Sequence, residues 1–446
     1  MKNRYLLLIL LFTVLTGVVF LEGCASNKNE NLQYRFNAET KAGIPYPNVS
    51  FAVISDIHVF DPSVHYPESK FLSKRIQGSK LFLDSIPLLD CAIDNILTSG
   101  VRFVIVTGDL TKDGELSNHL ITAEKFKRLT DAGIAVYVTP GNHDINNSKA
   151  VRYTENGTRR VPNVNADEFA QIYDDFGFNA AFARDTHSLS YAVEPVEGLW
   201  LLSLDACRHR ESFGRPAPYA SGKFTGRTIN WITKMLREAH DKNKAVIVMM
   251  HHGVVEHYRG QGKTSSAFIV RDFLNFGRFL ASWNVRVVFS GHTHVQDIAR
   301  ANYDGKYIYD VQTGATITPP CLIRYAELKN NFMNLRAVSL VDKVYPGTDF
   351  AEVIFKLHRE SLMNPYITVM RSRSIKEVDY EIIANAIADA NIAHYKGDEN
   401  PAERTVIDLS AFSNKARFFY KKRMERLDIY WTDIPPADNN ISLNLN

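Results

Sequence analysis

The sequence predicts an α/β fold with helices on both faces of its sheet structure, followed by a helical C-terminal addition. Three observations lead there. Five apolar, mostly β-branched runs recur along the chain: FAVIS (51–55), FVIV (103–106), IAVYV (134–138), AVIVMM (245–250) and VRVVFS (285–290). Runs of this kind read as strands buried on both faces. Segments with one apolar helical face alternate with them, such as Leu89, Ile93, Ile96 and Leu97 ended by Gly100, and Phe126 with Leu129 before Gly133. Beyond Asp342 the pattern turns helical, with Ile375, Val378, Ile382 and Ala386 as one expected face and 416–427 as another helix. Strand–helix alternation of this type argues helices packed on both faces of a sheet.

Taken in order, the chain begins with an address. Residues 1–4 are basic, 5–20 are almost unbroken apolar sequence, and Leu21-Glu22-Gly23-Cys24 follows. This reads as a lipoprotein signal peptide over 1–23, cleaved before Cys24, which would carry the lipid. A membrane-spanning anchor is the alternative for an apolar run of this length. Either one places the protein in the bacterial cell envelope, extracytoplasmic and tethered to a membrane. Residues 24–48, polar with Pro45 and Pro47, read as a tether. A length of 446 residues allows one large domain plus an addition. The formal charge of +3 is nearly balanced and argues for no nucleic-acid partner. Cys91, Cys207 and Cys321 lack CxxC spacing and read as structural thiols.

Each of the five strands stops at Asp, Asn or His. FAVIS leads to Asp56 and His58, FVIV to Asp109, IAVYV to Asn142 and His143, AVIVMM to His251, and VRVVFS to His292 and His294. The carboxyl edge of an open α/β sheet is where ligands bind. Asp56/His58 and His292/His294 are i, i+2 pairs, which on extended backbone point to one side. Imidazole with carboxylate suits zinc, manganese or iron. One such pair is weak evidence. The ordered set SDIH, GDLT, GNHD, MHH and GHTH is far more specific, and it resembles the calcineurin-like metallophosphoesterase family over about residues 49–342.

That resemblance implies a β-sandwich of two mixed sheets flanked by helices (αββα) over 49–342, with 343–446 an addition of unknown function. It implies two divalent ions, Mn, Fe or Zn. Asp56, His58 and His294 would hold one together with a bridging Asp109. Asn142, His251 and His292 would hold the other with the same Asp109. His143 would sit by the substrate and protonate the leaving oxygen or stabilise phosphate charge. In the family pattern the first histidine of such a pair is the ligand, so His251 is assigned and His252 is left to packing.

The charges agree. Two divalent ions against the carboxylates of Asp56 and Asp109 leave about two positive charges, which suits a phosphoryl group. Metals about 3.5–4 Å apart can clamp the attacking and leaving oxygens, and metal-bound water at pKa ~7 provides hydroxide as the nucleophile. Two departures narrow the family. Purple acid phosphatases place a tyrosine where this chain has Lys112, and protein phosphatases carry GDxVDRG and GNHE where GDLTKDG and GNHD stand here. Phosphodiester hydrolysis, as in the small-ester and cyclic-nucleotide branch, is the reading taken. A phosphomonoesterase or nucleotidase is the alternative within enzymes. A non-catalytic envelope ligand-binding protein on the same fold is the alternative outside them, disfavoured because every ligand position is filled. Arg152, Arg159, Arg160 and Arg208, with His257 and Tyr258, lie in irregular stretches that either shape the pocket or are solvated surface. Asp205 is expected to end a strand at a turn. Oligomeric state is not legible in the sequence.

Overall fold

Two mixed β-sheets lie face to face in the computed structural model, which describes residues 32–37, 43–70, 72 and 80–446. The expected signal peptide and Cys24 lie outside the described residues. The strands, in chain order, are β1 (Val49–Ile54), β2 (Phe103–Val106), β3 (Ala135–Val138), β4 (Val151–Thr154), β5 (Gly157–Arg160), β6 (Ala183–Arg184), β7 (Tyr191–Val196), β8 (Leu199–Leu204), β9 (Ala245–Met250), β10 (Val287–Ser290), β11 (Asp297–Tyr303), β12 (Lys306–Gln312), β13 (Leu322–Lys329), β14 (Phe332–Ser339) and β15 (Asn440–Asn444). One sheet has the order β15-β14-β13-β1-β2-β3 and the other β11-β12-β10-β9-β8-β7-β6. β1, β2 and β3 are parallel, as are β8, β9, β10 and β12. The parallel strands of the two sheets include all five apolar runs, β3 standing at an edge, and β2, β9 and β10 are buried along their whole length.

The main core lies between the sheets. Phe51 stacks on Phe103 of its own sheet at 4.7 Å and meets Phe289 of the other edge-on at 5.4 Å. Aromatic pairs at these distances add to the burial of their own area. Helix Ser85–Leu97 buries Leu89, Ile93 and Ile96 on the outside of the first sheet, and helix Leu116–Asp131 buries Phe126 and Leu129 beside it. Helices Gly226–Asp241 and Phe273–Ser282 cover the second sheet with Ile229, Ile232 and Leu236 and with Phe276, Phe279 and Leu280. This is the expected αββα layering.

The helices Phe350–Ser372, Glu377–Lys396 and Asn414–Leu427 form a separate small core that includes Met370, Ile383, Ile387, Phe419 and Trp431. Three details differ from the sequence reading. Helix Glu377–Lys396 buries Tyr380, Ile383, Ala384, Ile387 and Ala390, while Val378 and Ile382 of the expected face are exposed. The C-terminal region is not wholly helical, because β15 returns to pair antiparallel with β14. Part of the expected tether is docked: Tyr34 packs 5.4 Å from Phe279, and Trp283 Nε1 donates to the Arg35 carbonyl at 2.9 Å. His65 is buried, stacks on Phe60 at 4.4 Å, and accepts from Tyr153 N at 3.0 Å.

Candidate metal centre

The carboxyl ends of β1, β2, β3, β9 and β10 open on one cleft between the sheets, and the polar residues that follow them converge there. They do so on unusual backbone. Asp56, His58, Asp109, His292 and His294 all have φ between 41° and 74°. Such left-handed conformations are uncommon outside glycine and least costly for Asn, Asp and His. The i, i+2 pairs therefore converge by turning out of the strand, and not by sharing one face of extended chain as the sequence reading supposed.

Bonds between the loops hold those turns. Asp56 N donates to the Gly108 carbonyl at 3.1 Å, His58 N to the Asp109 carbonyl at 3.0 Å, and His292 N to Asp56 Oδ2 at 2.9 Å. His143 N donates to Asp109 Oδ1 at 2.8 Å. Two glycines make the close approach possible. A Cβ on Gly141 would collide with the Asp109 backbone nitrogen and carboxylate, and one on Gly291 with Ser55 Oγ and Asp56 Oδ2.

The side chains fall into overlapping groups: Asp56, His58 and His294; Asp109, His251 and His292; and His58, Asp109 and His143. Asp109 Oδ2 lies 3.6 Å from His58 Nε2, 3.4 Å from His251 Nε2 and 4.0 Å from His143 Nε2, so it is within reach of all three. His58 Nε2 and His294 Nε2 face each other at 3.1 Å, and Asp56 Oδ1 lies 3.5 Å from His294 Nε2. Asn142 Oδ1 comes 3.1 Å from His251 Nε2. All eight sequence-predicted residues of the site are thus brought together.

Outer contacts select which nitrogen each ring presents. His251 Nδ1 donates to the Thr107 carbonyl at 2.9 Å and His294 Nδ1 pairs with Thr318 Oγ1 at 2.9 Å, leaving Nε2 for the cleft. His292 Nε2 is taken by the Ala267 carbonyl at 3.2 Å, leaving Nδ1. Such partners are how proteins orient metal-binding histidines. Asp56 Oδ1 is buried and accepts no hydrogen bond among the described residues. A buried carboxylate oxygen left bare beside imidazole nitrogens fits a cation.

The protonation states fit as well. Burial holds His58, His292 and His294 well below the ordinary histidine range, which keeps them neutral. Burial would raise Asp109, but the neighbouring His251 and His143 outweigh it and hold the carboxyl well below its usual value. Burial chiefly lifts Asp56 to about 6. Burial would lower His251 too, yet Asp109 lifts it to about 9. A cation bound here would therefore compete with a proton at His251 and would expel it.

The sequence reading missed four supporting groups. Asp144, the last residue of GNHD, accepts from Leu110 N at 3.1 Å, Thr111 N at 2.9 Å and Gly141 N at 2.8 Å, and so ties together the loops that carry Asp109 and Asn142. Its place in the motif was the available signal. Asp113 Oδ1 lies 3.3 Å from His143 Nδ1, and that nitrogen donates to the Lys112 carbonyl at 2.6 Å. Thr107 Oγ1 bonds Ser55 Oγ at 2.6 Å behind the site. Lys80 Nζ stands 3.5 Å from His58 Nε2, which nothing in its sequence context announced.

Other predicted positions serve structure. Asp205 ends β8, pairs with His209 at 2.9 Å and accepts from Leu189 N and Cys207 N. His252 is buried with Nε2 on the Ala220 carbonyl at 2.8 Å. Arg208 pairs with Glu211 at 2.8 Å over the Tyr219 ring, and Arg152, Arg159 and Arg160 lie exposed on the β4–β5 hairpin. His257 is buried between Asp297 and Asp310.

Among solved structures the chain is similar to a dimetal phosphatase from Danio rerio, with 15% identity, a TM-score of 0.47, and coverage of 66% of this chain and 97% of that one. It is also similar to a purple acid phosphatase from yellow lupin (Lupinus luteus) seeds, with 13% identity, a TM-score of 0.40, and coverage of 68% and 54%. These likenesses are distant and carry no further weight. No curated protein sequence matches the chain. The model of the calcineurin-like phosphoesterases matches residues 49–296, more than half of the chain. On that match, the protein belongs to the calcineurin-like phosphoesterase family.

Proposed function

We propose that the protein hydrolyses a phosphodiester, with Asp56, His58, His294 and Asp109 holding one divalent ion, Asn142, His251, His292 and Asp109 the other, and His143 donating the proton to the leaving oxygen. Metal-dependent hydrolysis of phosphoesters by two divalent ions is the chemistry of the family. The observation that supports this assignment of residues is the placement of Asp109 Oδ2 within 4.0 Å of His58, His251 and His143 at once.

Two divalent ions in this cleft would neutralise phosphate charge and activate water for attack. The chain's own residues supply the rest. His143 is the most exposed of the eight, and its Nδ1–H is engaged by the Lys112 carbonyl with Asp113 beside it. Its Nε2 is left facing the cleft. Water gives up one proton to solvent as it adds to phosphorus, the bond to the leaving oxygen breaks, and that oxygen takes the proton from His143 Nε2, which solvent replaces. Asp113 and Lys112 O orient the ring, and Asp144 keeps its loop in place.

The test is hydrolysis by purified protein loaded with Mn, Zn or Fe, on bis-p-nitrophenyl phosphate, p-nitrophenyl phosphate and cyclic nucleotides. Faster turnover of the diesters supports the reading, and faster turnover of the monoester assigns a phosphomonoesterase instead. Failure on every ester with both ions bound would leave the ligand-binding alternative. We further propose that the chain is held at the cell-envelope membrane by lipid on Cys24, on the strength of the N-terminal sequence. Cys24→Ala should release the protein from the membrane fraction or block its processing. A mature, soluble protein with unmodified Cys24 would overturn this.

A further inference from the structure

Lys80 reaches the metal centre from a stretch of chain that carries none of the proposed ligands. Its Nζ stands 3.5 Å from His58 Nε2, and that nitrogen faces His294 Nε2 at 3.1 Å. Lys80 is half-buried while His58 is fully buried, so the ammonium enters from the solvent side. Both rings feel its charge: burial holds His58 and His294 below the ordinary histidine range, and Lys80 is the next influence on each.

The chain around Lys80 is pinned to the site on two sides. Leu81 N donates to the Ile317 carbonyl at 2.7 Å, and Thr318, the next residue, pairs with His294 Nδ1. Phe82 is buried with its ring edge-on to His58 at 6.2 Å. Ser85 Oγ accepts from Phe60 N at 2.9 Å, two residues beyond His58. The root of Lys80 is therefore held against the loop that orients His294 and the loop that carries His58.

An ammonium is costly beside a cation site. His58 Nε2 and His294 Nε2 have one lone pair each, and both are assigned above to the first ion. An ion there would take the acceptor that Lys80 has on His58 and set a positive charge against it. Asp56 and Asp109 would leave an excess of about two charges, and Lys80 makes it about three. So placed, the ammonium opposes the ion alone. It favours the ion together with an anion, because phosphoryl oxygens accept charge-assisted bonds from an ammonium.

We propose that Lys80 binds the phosphoryl group of the substrate by donating to one of its oxygens, and that it makes the uptake of ions and of phosphate mutually reinforcing. This rests on the phosphoester reading above and adds a substrate-binding residue to it. By linkage, the factor by which phosphate strengthens ion binding equals the factor by which the ions strengthen phosphate binding.

The probes are Mn²⁺ and inorganic phosphate, each titrated calorimetrically into wild type, Lys80→Ala and Lys80→Arg with and without the other. Without phosphate, Lys80→Ala should bind Mn²⁺ at least as tightly as wild type. Once loaded with Mn²⁺, it should bind phosphate roughly tenfold or more weakly, the scale of one hydrogen bond to a charged group. Lys80→Arg should keep most of the phosphate affinity. No phosphate binding by the loaded wild type, or equal affinity in Lys80→Ala, overturns the proposal. Weaker Mn²⁺ binding by Lys80→Ala without phosphate also overturns it, because Lys80 would then support the ligands instead of touching substrate. These readouts do not depend on turnover. Ester hydrolysis with phosphate affinity unchanged in Lys80→Ala strikes Lys80 alone. Phosphate held through Lys80 with no ester hydrolysed strikes the phosphoester reading and leaves Lys80 as an anion ligand. Wild type that binds no Mn²⁺ overturns both. If Lys80→Ala does not fold, Lys80→Met, which keeps the stem without the charge, carries the decision.

Discussion

Replacing His257 by Gln should flatten the pH dependence of stability, and the structure sets by how much. His257 Nδ1 lies 2.7 Å from Asp297 Oδ1, and its Nε2 lies 3.5 Å from Asp310 Oδ2, with all three side chains buried. Burial alone would lower the histidine, but Asp297 and Asp310 outweigh it and lift it to about 10. The group braces the metal loops. Asp310 accepts from Val254 N at 2.5 Å and Val255 N at 3.2 Å, just after His251, and from Ser290 Oγ at 2.5 Å, just before His292.

A histidine whose folded value is raised stabilises the fold fully below its unfolded value of about 6.5, and loses that contribution as pH rises toward the folded value. From about pH 6 to about pH 9, wild type should lose roughly 3 kcal/mol that the Gln variant, having no charge to lose, does not. The variant should be the less stable by several kcal/mol at the lower pH, as expected when a buried ion pair loses one partner. Urea unfolding of the two metal-free proteins across this range measures the difference directly, and titrating groups remote from His257, Asp297 and Asp310 cancel in it. Parallel pH profiles would refute the reasoning, because they would mean that His257 carries no proton between the two carboxylates.

Asp109→Asn should lower occupancy at both metal positions, whereas His294→Ala should mainly lower one; two ions bound per chain in Asp109→Asn would end the bridging assignment. His143→Ala should keep both ions while kcat falls by roughly 10²–10⁴, with a smaller loss for p-nitrophenolate than for alkoxide leaving groups. Equal losses on both kinds of ester would mean that His143 positions phosphate, and lost metal would place it among the ligands. Gly141→Ala should lower both Tm and metal content, because its Cβ would displace the Asp109 carboxylate; a variant with wild-type Tm and full metal content would show that the loops do not need this approach.

The strands were legible because a strand buried on both faces cannot hide its composition, and β2, β9 and β10 are apolar throughout. The site was legible as a set of residue types placed after those strands. Other features depend on what lies opposite them in space. Helix Glu377–Lys396 carries Ala, Ile, Val and Tyr on nearly all sides, so its buried face is decided by the neighbouring helices and not by its own period. β15 is short and mostly polar, and becomes a strand only because β14 offers a free edge. Asp144 looked like one more polar residue in a loop until its three backbone donors were seen, one from its own loop and two from the loop after β2.

The backbone at the site explains why its residue types are so restricted. A left-handed residue other than glycine costs of order 1–3 kcal/mol, and five of the proposed ligands are in that region. Asp, Asn and His bear the cost best, and they are also the ligands that oxygen- and nitrogen-seeking ions require. One choice of side chain therefore serves both demands. The strain is opposed by bonds that run from loop to loop: Asp56 N to Gly108 O, His58 N to Asp109 O, Gly291 N to His251 O, and His292 N to Asp56 Oδ2. Each connects a loop bearing one ligand to a loop bearing another. Losing one such bond would loosen two proposed ligand positions together, which would couple the two proposed metal positions through the chain as well as through the Asp109 oxygen proposed to be shared.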